Sequence, residues 1–432
     1  MSDELFQFQP LSEVATAIKD GTHGTHMRVA EGVPFLSAKN ITAIGTIEWD
    51  SSDDKITESE YFQLNNSFPL EAGDVLLTIV GSLGRRAIYS GERVTFQRSV
   101  AYVRPNQSKV ESSFLFHWMD HPKFFAELQR RSNATAQAGL YLGELGKTSV
   151  PVVSRNEQSK IAQILDTLDT AIRRTEAIVD KLKSVLQGLL HDLLTRGTDA
   201  NGELRPPQNE APRLYKDSPL GWIPKEWDAL QMRNITTLIT SGSRGWATYY
   251  VETGALFLRS QNVRMGYLDF SDRQHVSPPN GGEGQRTKLN SRDLLITITG
   301  NGVGNVAHVP ETWDELAFVS QHVGLVRFSE PQLSLLAMHY LVEGAPGNQQ
   351  IINAQYGQSK PGLNLENLRN LFIPSPPEDE RVAITERIAC AYERIDIEGR
   401  FSTQLRELKQ GLMNDLLTGR VHVTPLLEGF TP

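Results

Sequence analysis

Apolar positions follow their most regular pattern between residues 155 and 195. They recur at alternating steps of four and three, at Ile161, Leu165, Leu168, Ile172, Thr175, Val179, Leu182, Leu186, Leu189 and Leu193, with Thr175 the only polar member. This spacing predicts one long helix with a coiled-coil seam. Ser154 and Glu157 have the spacing of a capping box at its start. A helix of this length spans about 60 Å.

A second long helix is predicted after Ser375, Pro376 and Pro377. Its apolar stripe consists of Ile384, Ile388, Ala391 and Ile395, followed by Phe401, Leu405, Leu408, Leu412 and Leu416. The step from Ile395 to Phe401 is six residues rather than seven, so a register slip with a kink or break is expected near Gly399. The single cysteine, Cys390, is expected to be a buried small residue on the seam side.

The two helix ends reveal a repeat that covers the whole chain. QGLLHDLLT at 187–195 and QGLMNDLLT at 410–418 share seven of nine residues at an offset of 223. AGDVLLTIVG at 72–81 corresponds to SRDLLITITG at 291–300, and FLSAKNI at 35–41 corresponds to FLRSQNV at 257–263. A period this long gives each copy room for its own core, unlike a solenoid repeat. The chain is therefore predicted to be two copies of one unit, a globular part followed by a long helix.

The repeat predicts an α+β fold, with two strand-rich globular domains, two long antiparallel coiled-coil helices and a pseudo-two-fold axis. DVLLTIV and DLLITIT are predicted strands. Turn signals lie at 51–54 and 277–284. The predicted parts are a first domain at 1–150, a first helix at 151–197, a linker at 198–217, a second domain at 218–373, a second helix at 374–420 and a tail at 421–432. The linker is too short to run back along a 60 Å helix and also loop freely, which favours antiparallel pairing. The alternative is that both helices are ordinary amphipathic core helices.

Composition narrows the class of protein. The chain has 432 residues, a formal net charge of −8 and one cysteine, so no intramolecular disulfide can form. There is no run of about 18 apolar residues and no signal-peptide pattern, which predicts a protein of the reducing cytoplasm without a membrane span. The negative charge argues against a protein coated in basic residues, but it allows a local basic groove.

Recognisable catalytic motifs are absent from the sequence. No G-x-x-x-x-G-K-[ST] phosphate loop occurs. GNGVGN at 300–305 resembles a dinucleotide loop, but its repeat counterpart GSLGRR lacks the pattern. His117 and His121 have a metal-like spacing, yet Trp118 occupies the position where a metalloprotease requires glutamate. Neither a metal nor a cofactor is expected in this chain.

Four further segments carry a resemblance to a known family. These are LGWIPKEW at 220–227, SGSRGWATYY at 241–250, VPVVSRNEQSKIA at 150–162 and IPSPPEDERVAI at 373–384. Together with the duplicated helix ends and FLRSQNV, they resemble the specificity subunit of Type I restriction-modification enzymes over essentially the full chain. The first copy departs from the pattern because it lacks a counterpart of LGWIPKEW and has only one proline, Pro151, at its helix start.

The resemblance implies a non-catalytic subunit that recognises double-stranded DNA. In that family each recognition domain reads one half of a split site, and the paired helices set the gap and bind two methyltransferase subunits. Restriction subunits, which translocate and cut DNA, join that core. S-adenosylmethionine is then expected in the partner methyltransferase, which the family implies methylates adenine N6. Half-sites about one helical turn (34–36 Å) apart suit helices of this length.

Candidate DNA-contacting residues are polar or aromatic side chains in the repeat-related loops. Arg, Gln and Asn are suited to reading guanine and adenine edges, and cations bind phosphates. In the second copy the candidates are Ser241, Arg244, Trp246, Tyr249, Tyr250, Arg259, Gln261, Asn262, Asn301, Asn305, Gln321 and His322. In the first copy they are His23, Thr25, His26, Lys39, Asn40, Arg85, Arg86, Gln97, Arg98 and Ser99. Each could instead be a solvated loop residue or stabilise a turn, and Trp246 is favoured as a core residue that shapes its loop.

Two other functions remain open at this point. The chain could be an interaction scaffold, a coiled-coil rod displaying two protein-binding domains, which would show no salt-dependent DNA binding. It could also be an enzyme with an unrecognised active site, although no pair of titratable residues suggests one.

Overall fold

The computed structural model describes residues 6–133, 139–242, 244–278, 282–357 and 361–427. Parts of the predicted turn at 277–284 and of the predicted tail at 421–432 lie outside these ranges, as do residues 1–5 and Ser243. The chain divides into two compact units, Met1–Glu176 with Gly399–Pro432, and Ala177–Glu398. Each unit holds one globular part and a stretch of both long helices. The predicted domain boundaries stay predictions.

The first unit contains nine strands and six helices among its described residues before the second repeat begins. In chain order they are β1 (Gln7–Pro10), α1 (Leu11–Val14), β2 (Ala15–Asp20), β3 (Val33–Leu36), β4 (Lys55–Ile56), α2 (Glu58–Ser67), β5 (Val75–Thr78), β6 (Arg86–Ile88), β7 (Thr95–Phe96), β8 (Val100–Pro105), α3 (Ser112–Asp120), α4 (Pro122–Asn133), α5 (Leu142–Gly146), β9 (Ser149–Val152) and α6 (Arg155–Thr195), which continues into the second unit. A short 3₁₀ helix covers Ala38–Asn40.

The second unit repeats this order. Its elements are β10 (Tyr215–Lys216), β11 (Ile223–Pro224), β12 (Asp228–Gln231), α7 (Met232–Ile235), β13 (Thr236–Ser241), β14 (Tyr250–Val251), β15 (Ala255–Leu258), β16 (His275–Val276), α8 (Gly282–Thr287), β17 (Leu294–Thr297), β18 (Val306–His308), β19 (Ala317–Val319), β20 (Val323–Phe328), α9 (Leu333–Leu341), α10 (Asn348–Ala354), α11 (Leu365–Asn370), β21 (Phe372–Ser375) and α12 (Glu378–Leu416); α12 ends in the first unit, where α13 (Thr424–Leu427) follows. Further 3₁₀ helices cover Pro212–Leu214, Trp246–Tyr249 and Ser260–Asn262.

The sheets of the two units correspond, except that the second sheet of the second unit has one additional strand, β14. A four-stranded antiparallel sheet has the order β2-β8-β5-β6 in the first unit and β13-β20-β17-β18 in the second. A second sheet has the order β4-β3-β7 in the first unit and β14-β16-β15-β19 in the second. In this sheet β3 pairs in parallel with β7, and β15 pairs in parallel with β19. The predicted strands DVLLTIV and DLLITIT form β5 and β17, both fully buried. The predicted α+β class and internal repeat are confirmed.

Helix α6 matches its prediction from end to end. It begins at Arg155 and ends at Thr195. The capping box is present, since Glu157 N donates to Ser154 Oγ over 3.3 Å and Ser154 N donates to Glu157 Oε2 over 3.2 Å. All ten predicted seam positions are buried or half-buried. Buried Thr175 donates its hydroxyl to Ala171 O, which satisfies the one polar group of the seam.

Helix α12 corrects two predictions. It runs from Glu378 to Leu416 without a break at Gly399, and its buried face continues at steps of four and three through Ser402, which is 5% exposed, and Lys409. Phe401 and Leu408, predicted for the seam, are 48% and 51% exposed. The predicted register slip was wrong because the seam uses polar residues here, and Lys409 is buried against Asp169 at 2.6 Å. Cys390 is exposed rather than buried.

Within each unit the two long helices pack antiparallel. In the first unit, Met413 and Leu416 near the end of α12 share a core with Ile161 and Leu165 near the start of α6. In the second unit, the end of α6 (Leu186, Leu190, Leu193 and Leu194) shares a core with the start of α12 (Ile384 and Ile388). Among the described helices, none is both long and apolar enough to cross a membrane.

Candidate nucleic-acid interface

The predicted site residues of the second unit converge because two strands run in parallel. β15 and β19 are neighbours, so the segments after them, 259–261 and 320–322, leave the same edge of the sheet. With Trp246 and Tyr250 they line a cleft of about 360 Å³. Six predicted residues, Trp246, Tyr250, Arg259, Gln261, Gln321 and His322, lie together here. The rest of the lining was not selected from the sequence and consists of Gly245, Ala247, Phe257, Ser260 and Ser320.

Several polar groups of this cleft have no hydrogen-bond partner among the residues that the structure describes. Buried atoms without a hydrogen-bond partner include Trp246 Nε1, Arg259 Nε, Ser320 Oγ and Gln321 Oε1. Leaving such groups unsatisfied costs about 1–3 kcal/mol each. Their concentration in residues that line one cleft is typical of a surface that completes its hydrogen bonds with a ligand.

Aromatic rings form the base of the cleft. The Trp246 ring stacks on Phe257, with centroids 5.5 Å apart and planes 13° apart, and Phe318 lies 5.4 Å away. Trp246 is 3% exposed, so it is a core residue that shapes its loop. Tyr249 and Tyr250 are 39% and 41% exposed, which leaves their faces accessible.

Gln321 and His322 are ordered by hydrogen bonds around one imidazole ring. The Thr299 hydroxyl lies 2.6 Å from His322 Nδ1, and Gln321 Nε2 lies 3.1 Å from His322 Nε2. This chain of contacts fixes the His322 ring and directs the Gln321 amide.

Close backbone contact holds the loop after β19 in the second unit and the equivalent loop after β7 in the first. A Cβ atom at Gly242 would lie 2.0 Å from Val319 O, and one at Gly21, its repeat counterpart, would lie 2.1 Å from Phe96 O. Only glycine permits this approach. The loops carrying Gln321 and Arg98 are thus positioned by a residue without a side chain.

Gly242→Ala is expected to lower the free energy of unfolding of the second unit by about 1–3 kcal/mol, because the new methyl group overpacks the loop. Hydrogen exchange along a denaturant series measures the free energy of unfolding of each unit separately. Gly399→Ala is the control, since a Cβ there meets nothing within 4 Å and alanine favours a helix. Equal stability of Gly242→Ala and the parent chain would contradict the close contact.

The first unit has a smaller cleft of different chemistry, to which the loop after β7 contributes Arg98, the repeat counterpart of Gln321. Its volume is about 160 Å³, and Asp20, His23, Arg98 and Tyr141 line it with Ile79, Val80, Gly139 and Leu140. His23 Nε2 lies 2.7 Å from Asp20 Oδ2, and Arg98 is exposed. Of the predicted residues, His23 and Arg98 lie here. Asp20 and Tyr141 were not selected from the sequence.

Several predicted residues are engaged inside the protein. Asn40 and Asn262 are buried at equivalent positions, and each donates its amide to the carbonyl of a neighbouring loop, Glu48 O and Asp269 O, over 2.9 Å. Asn305 donates to Val263 O over 2.9 Å. These three side chains hold loops, so this conformation leaves them little capacity to read bases.

Two more predicted residues in the first unit are packed against protein partners. His26 lies between Glu60 Oε1, 2.7 Å from Nδ1, and Thr22 Oγ1, 2.8 Å from Nε2. Arg86 is buried, forms an ion pair with Asp120 at 2.5 Å, and burial lowers the pKa of its guanidinium. Its repeat equivalence to Asn305 was the only signal for including it.

The remaining predicted residues lie around the clefts or support them. Ser99 Oγ accepts from Ala38 N over 3.1 Å, Arg85 Nη1 donates to Ile41 O over 3.3 Å, and Ser241 O accepts from Arg286. Gln97 is half-buried, whereas Thr25, Arg244 and Asn301 are exposed. Lys39 lines a separate surface depression with Asn40 and Trp49. In the part of the chain that the structure describes, Arg244 has no ion-pair partner.

The described residues contain no group of three or more His, Cys, Asp or Glu side chains placed to hold a metal ion. His117 and His121, whose spacing resembles that of metal ligands, have other partners. His117 Nε2 lies 2.8 Å from Asp166 Oδ1, and the His121 ring stacks on Trp118 at 5.1 Å.

Comparisons with known proteins agree with this geometry. A family model described as the Type I restriction modification DNA specificity domain matches residues 4–184. A putative type I restriction enzyme MjaX specificity subunit of Methanocaldococcus jannaschii is 24% identical over 438 residues, covering 97% of this chain and 94% of the relative. The MjaVIII specificity subunit of the same organism is 21% identical, covering 84% and 82%.

Solved structures show the same fold. The crystal structure of the S subunit of a Type I restriction-modification system from M. genitalium has a TM-score of 0.58 at 11% identity, covering 96% of this chain and 97% of that one. A chain from a study of complex assembly in the type I R-M system has a TM-score of 0.56 at 15% identity, covering 97% and 99%. The chain is thus similar over nearly its full length to Type I restriction-modification specificity subunits, and its residues 4–184 match the model of that specificity domain.

Proposed function

We propose that this chain recognises a two-part sequence in double-stranded DNA, with each unit reading one half. The observation that carries the proposal is that a repeat-related loop lines a cleft in each unit with a different side chain: Gln321 lines the cleft of the second unit, and its counterpart Arg98 lines a cleft of the first. The second cleft offers Gln, Arg and Tyr, whereas the first offers His, Asp and Arg. Because the linings differ, the two halves of the DNA sequence differ as well.

The arrangement supports recognition rather than catalysis. No described cleft brings together a nucleophile, a base and an orienting group. The partner methyltransferase would bind S-adenosylmethionine and methylate the site, and this chain would bind no cofactor. Restriction subunits would join through the methyltransferases. An interaction scaffold remains the second candidate, and salt dependence of DNA binding separates the two.

Arg244 provides the direct test of DNA contact. Its exposed guanidinium lies beside Gly245 and Trp246 at the mouth of the second cleft and has no competing carboxylate among the described residues. Arg244→Ala is expected to weaken binding of the cognate DNA by about 1–3 kcal/mol if the side chain reads a base. A phosphate contact would instead lower the slope of log K against log salt by about one.

The measurement is fluorescence anisotropy of labelled cognate DNA with the complex of this chain and its methyltransferase, over a salt series. Arg213→Ala is the matched control, because it removes one exposed positive charge of the same unit away from the cleft. Unchanged affinity and unchanged salt slope for Arg244→Ala would remove Arg244 from the interface.

The helices offer surfaces for the methyltransferase subunits. On α6, Ile178 and Val185 are seven residues apart, off the seam, and 46% and 53% exposed. Neighbouring apolar side chains at this spacing share one helix face, and exposed apolar patches mark interaction sites. On α12, Phe401 and Leu408 form the same pattern.

The double variant Ile178→Asp, Val185→Asp is expected to reduce co-purification of the methyltransferase at least tenfold, because charged groups would be buried in the interface. The control, Ile178→Val with Val185→Ile, keeps the face apolar and should retain the partner. Quantitative pull-down followed by circular dichroism of the free chain distinguishes lost docking from lost folding. Full retention of the partner by the charged variant would contradict docking on this face.

A further inference from the structure

An acidic turn stands at the same place in both units. It is Asp50-Ser51-Ser52-Asp53 in the first and Asp269-Phe270-Ser271-Asp272 in the second, at an offset of 219. In each, the first aspartate accepts both the hydroxyl and the backbone N–H of the serine two residues later, at 2.6 and 2.7 Å in the first unit and 2.6 and 3.0 Å in the second. This local bonding fixes the turn and the direction of the last aspartate.

In the first unit the last aspartate holds a lysine and an asparagine. Asp53 Oδ1 accepts from Asn40 Nδ2 over 2.9 Å and lies 2.8 Å from Lys39 Nζ, and its Oδ2 accepts from Asp50 N over 2.9 Å. The Asp53 side chain is 9% exposed, whereas that of Lys39 is 67% exposed. The hydrogen bonds from Asn40 and Lys39 lower the pKa of Asp53 to about 2, so its carboxylate stays charged at working pH.

In the second unit the last aspartate holds an arginine and a glutamine. Asp272 Oδ1 lies 2.9 Å from Arg259 Nη2, and Asp272 Oδ2 accepts from Gln261 Nε2 over 2.6 Å. Hydrogen bonds from Arg259 and then Gln261 keep the pKa of Asp272 below its usual value. Gln261 is the repeat counterpart of Lys39. The equivalent aspartate therefore binds the side chain at this loop position in both units, which is a lysine in the first unit and a glutamine in the second.

We propose that Asp53 and Asp272 are positioning residues for DNA specificity, which orient Lys39 in the first unit and Arg259 and Gln261 in the second before DNA binds. This inference rests on the proposed function. Long polar side chains lose rotamer freedom when they bind, and fixing them in advance lowers that cost and narrows the geometry they accept. A carboxylate close to the phosphate backbone repels it and lowers the affinity for DNA. We therefore expect these aspartates to contribute to discrimination between DNA sequences rather than to affinity.

The proposal predicts a loss of discrimination rather than of affinity. Asp272→Asn keeps the size of the side chain but removes the charge that holds Arg259. Discrimination between the cognate DNA and DNA with one base changed in the half read by the second unit is expected to fall about tenfold. Binding to unrelated DNA should be unchanged or tighter, because one negative charge is removed. Asp53→Asn should do the same for the other half only, and Asp272→Glu should restore part of the discrimination.

The experiment uses the complex of the full chain with its methyltransferase and a set of duplexes, each changed at one base in one half. Asp314→Asn is the control, because this exposed carboxylate of the second unit has no hydrogen-bond partner among the described residues. Thermal stability is measured on every variant. A tenfold loss confined to one half, at unchanged stability, supports the proposal.

Two results would overturn this inference alone, and a third would overturn it together with the proposed function. If Lys39→Ala and Gln261→Ala reduce discrimination but the aspartate variants do not, the carboxylates do not position these side chains. If the aspartate variants reduce binding to all duplexes in parallel with a loss of thermal stability, their part is structural. If the complex binds no DNA in a salt-dependent manner, the proposed function fails, and this inference fails with it.

Discussion

Glu380→Ala is expected to lower the free energy of unfolding of the second unit by about 3–5 kcal/mol. The Glu380 carboxylate stands in the first turn of α12 and receives every nearby donor. Oε1 accepts from Thr198 N over 2.8 Å and from Arg205 Nη1, and Oε2 accepts from Arg205 Nη2 and from Trp227 Nε1, both over 3.0 Å. The side chains of Glu380 and Arg205 are only 9% and 11% exposed, and Trp227 is fully buried.

The size of the effect follows from what alanine would leave behind. Arg205 would keep only the more distant and exposed Glu226 carboxylate, 3.9 Å away, as an ion-pair partner, and the Trp227 and Thr198 N–H groups would lose their acceptor. These donors come from the segment after α6 and from LGWIPKEW, so one carboxylate joins three parts of the second unit. Hydrogen exchange along a denaturant series measures the loss unit by unit.

Glu157→Ala is the matched control for Glu380. Glu157 lies 223 residues earlier, at the equivalent helix start, but it is half-buried, and among the described residues it bonds only Ser154 and the Thr424 hydroxyl. Losing this capping residue is expected to cost about 1 kcal/mol in the first unit. Equal effects of the two variants would contradict the special part assigned to the Glu380 network.

Acidification from pH 7.5 to 5 is expected to destabilise the second unit by about 2 kcal/mol for each of two histidines, His339 and His308. Burial lowers the pKa of His339 to about 3 and that of His308 to about 4, although the nearby Glu311 carboxylate partly raises the pKa of His308 and Arg292 lowers it further. Both folded-state pKa values lie below the unfolded value of about 6.5. The unfolded chain therefore binds more protons between these values, so this stability is complete above pH 6.5 and is lost as the pH falls below it.

His339→Leu removes the contribution of one of the two histidines to this pH dependence of stability. The His339 ring is 3% exposed, stacks on Tyr392 with centroids 5.5 Å apart, and has no hydrogen-bond partner at either nitrogen. An apolar side chain should preserve stability at pH 7.5 and remove about half of the loss at pH 5. Urea denaturation at both pH values measures it, with the exposed His191→Gln as control. A pH dependence unaltered by His339→Leu would show that this ring is not the group that titrates.

The fold was predictable wherever burial is apolar. The α6 seam, the strands β5 and β17 and the duplication follow from spacing alone, because their buried positions carry aliphatic side chains. The α12 seam misled the sequence analysis because Ser402 and Lys409 occupy buried positions while Phe401 and Leu408 are exposed. Lys409 is acceptable there only because Asp169 and Asp120 lie within 2.6 and 3.3 Å, and a helical pattern cannot reveal partners on other elements.

The candidate site was predictable to the level of its loops. Repeat mapping selected the segments that leave the parallel strands, and six of the twelve second-unit candidates line one cleft. It could not separate Gln261, held at the surface by Asp272, from Asn262 next to it, which is buried and bonded to the backbone. The aspartates themselves were missed because acidic residues are unexpected at a DNA surface, and only the repeated turn at 50–53 and 269–272 could have indicated them.

The central claim is that each unit reads one half of a two-part DNA site. The most direct measurement is a map of modified bases across a host genome when this chain is co-expressed with its partner methyltransferase, with and without exchange of residues 1–150 for those of another specificity subunit. We expect a split motif of modified bases that depends on this chain, and we expect the exchange of residues 1–150 to change only one half of it. A methyltransferase that co-purifies with this chain but modifies no split motif would contradict it and favour the scaffold.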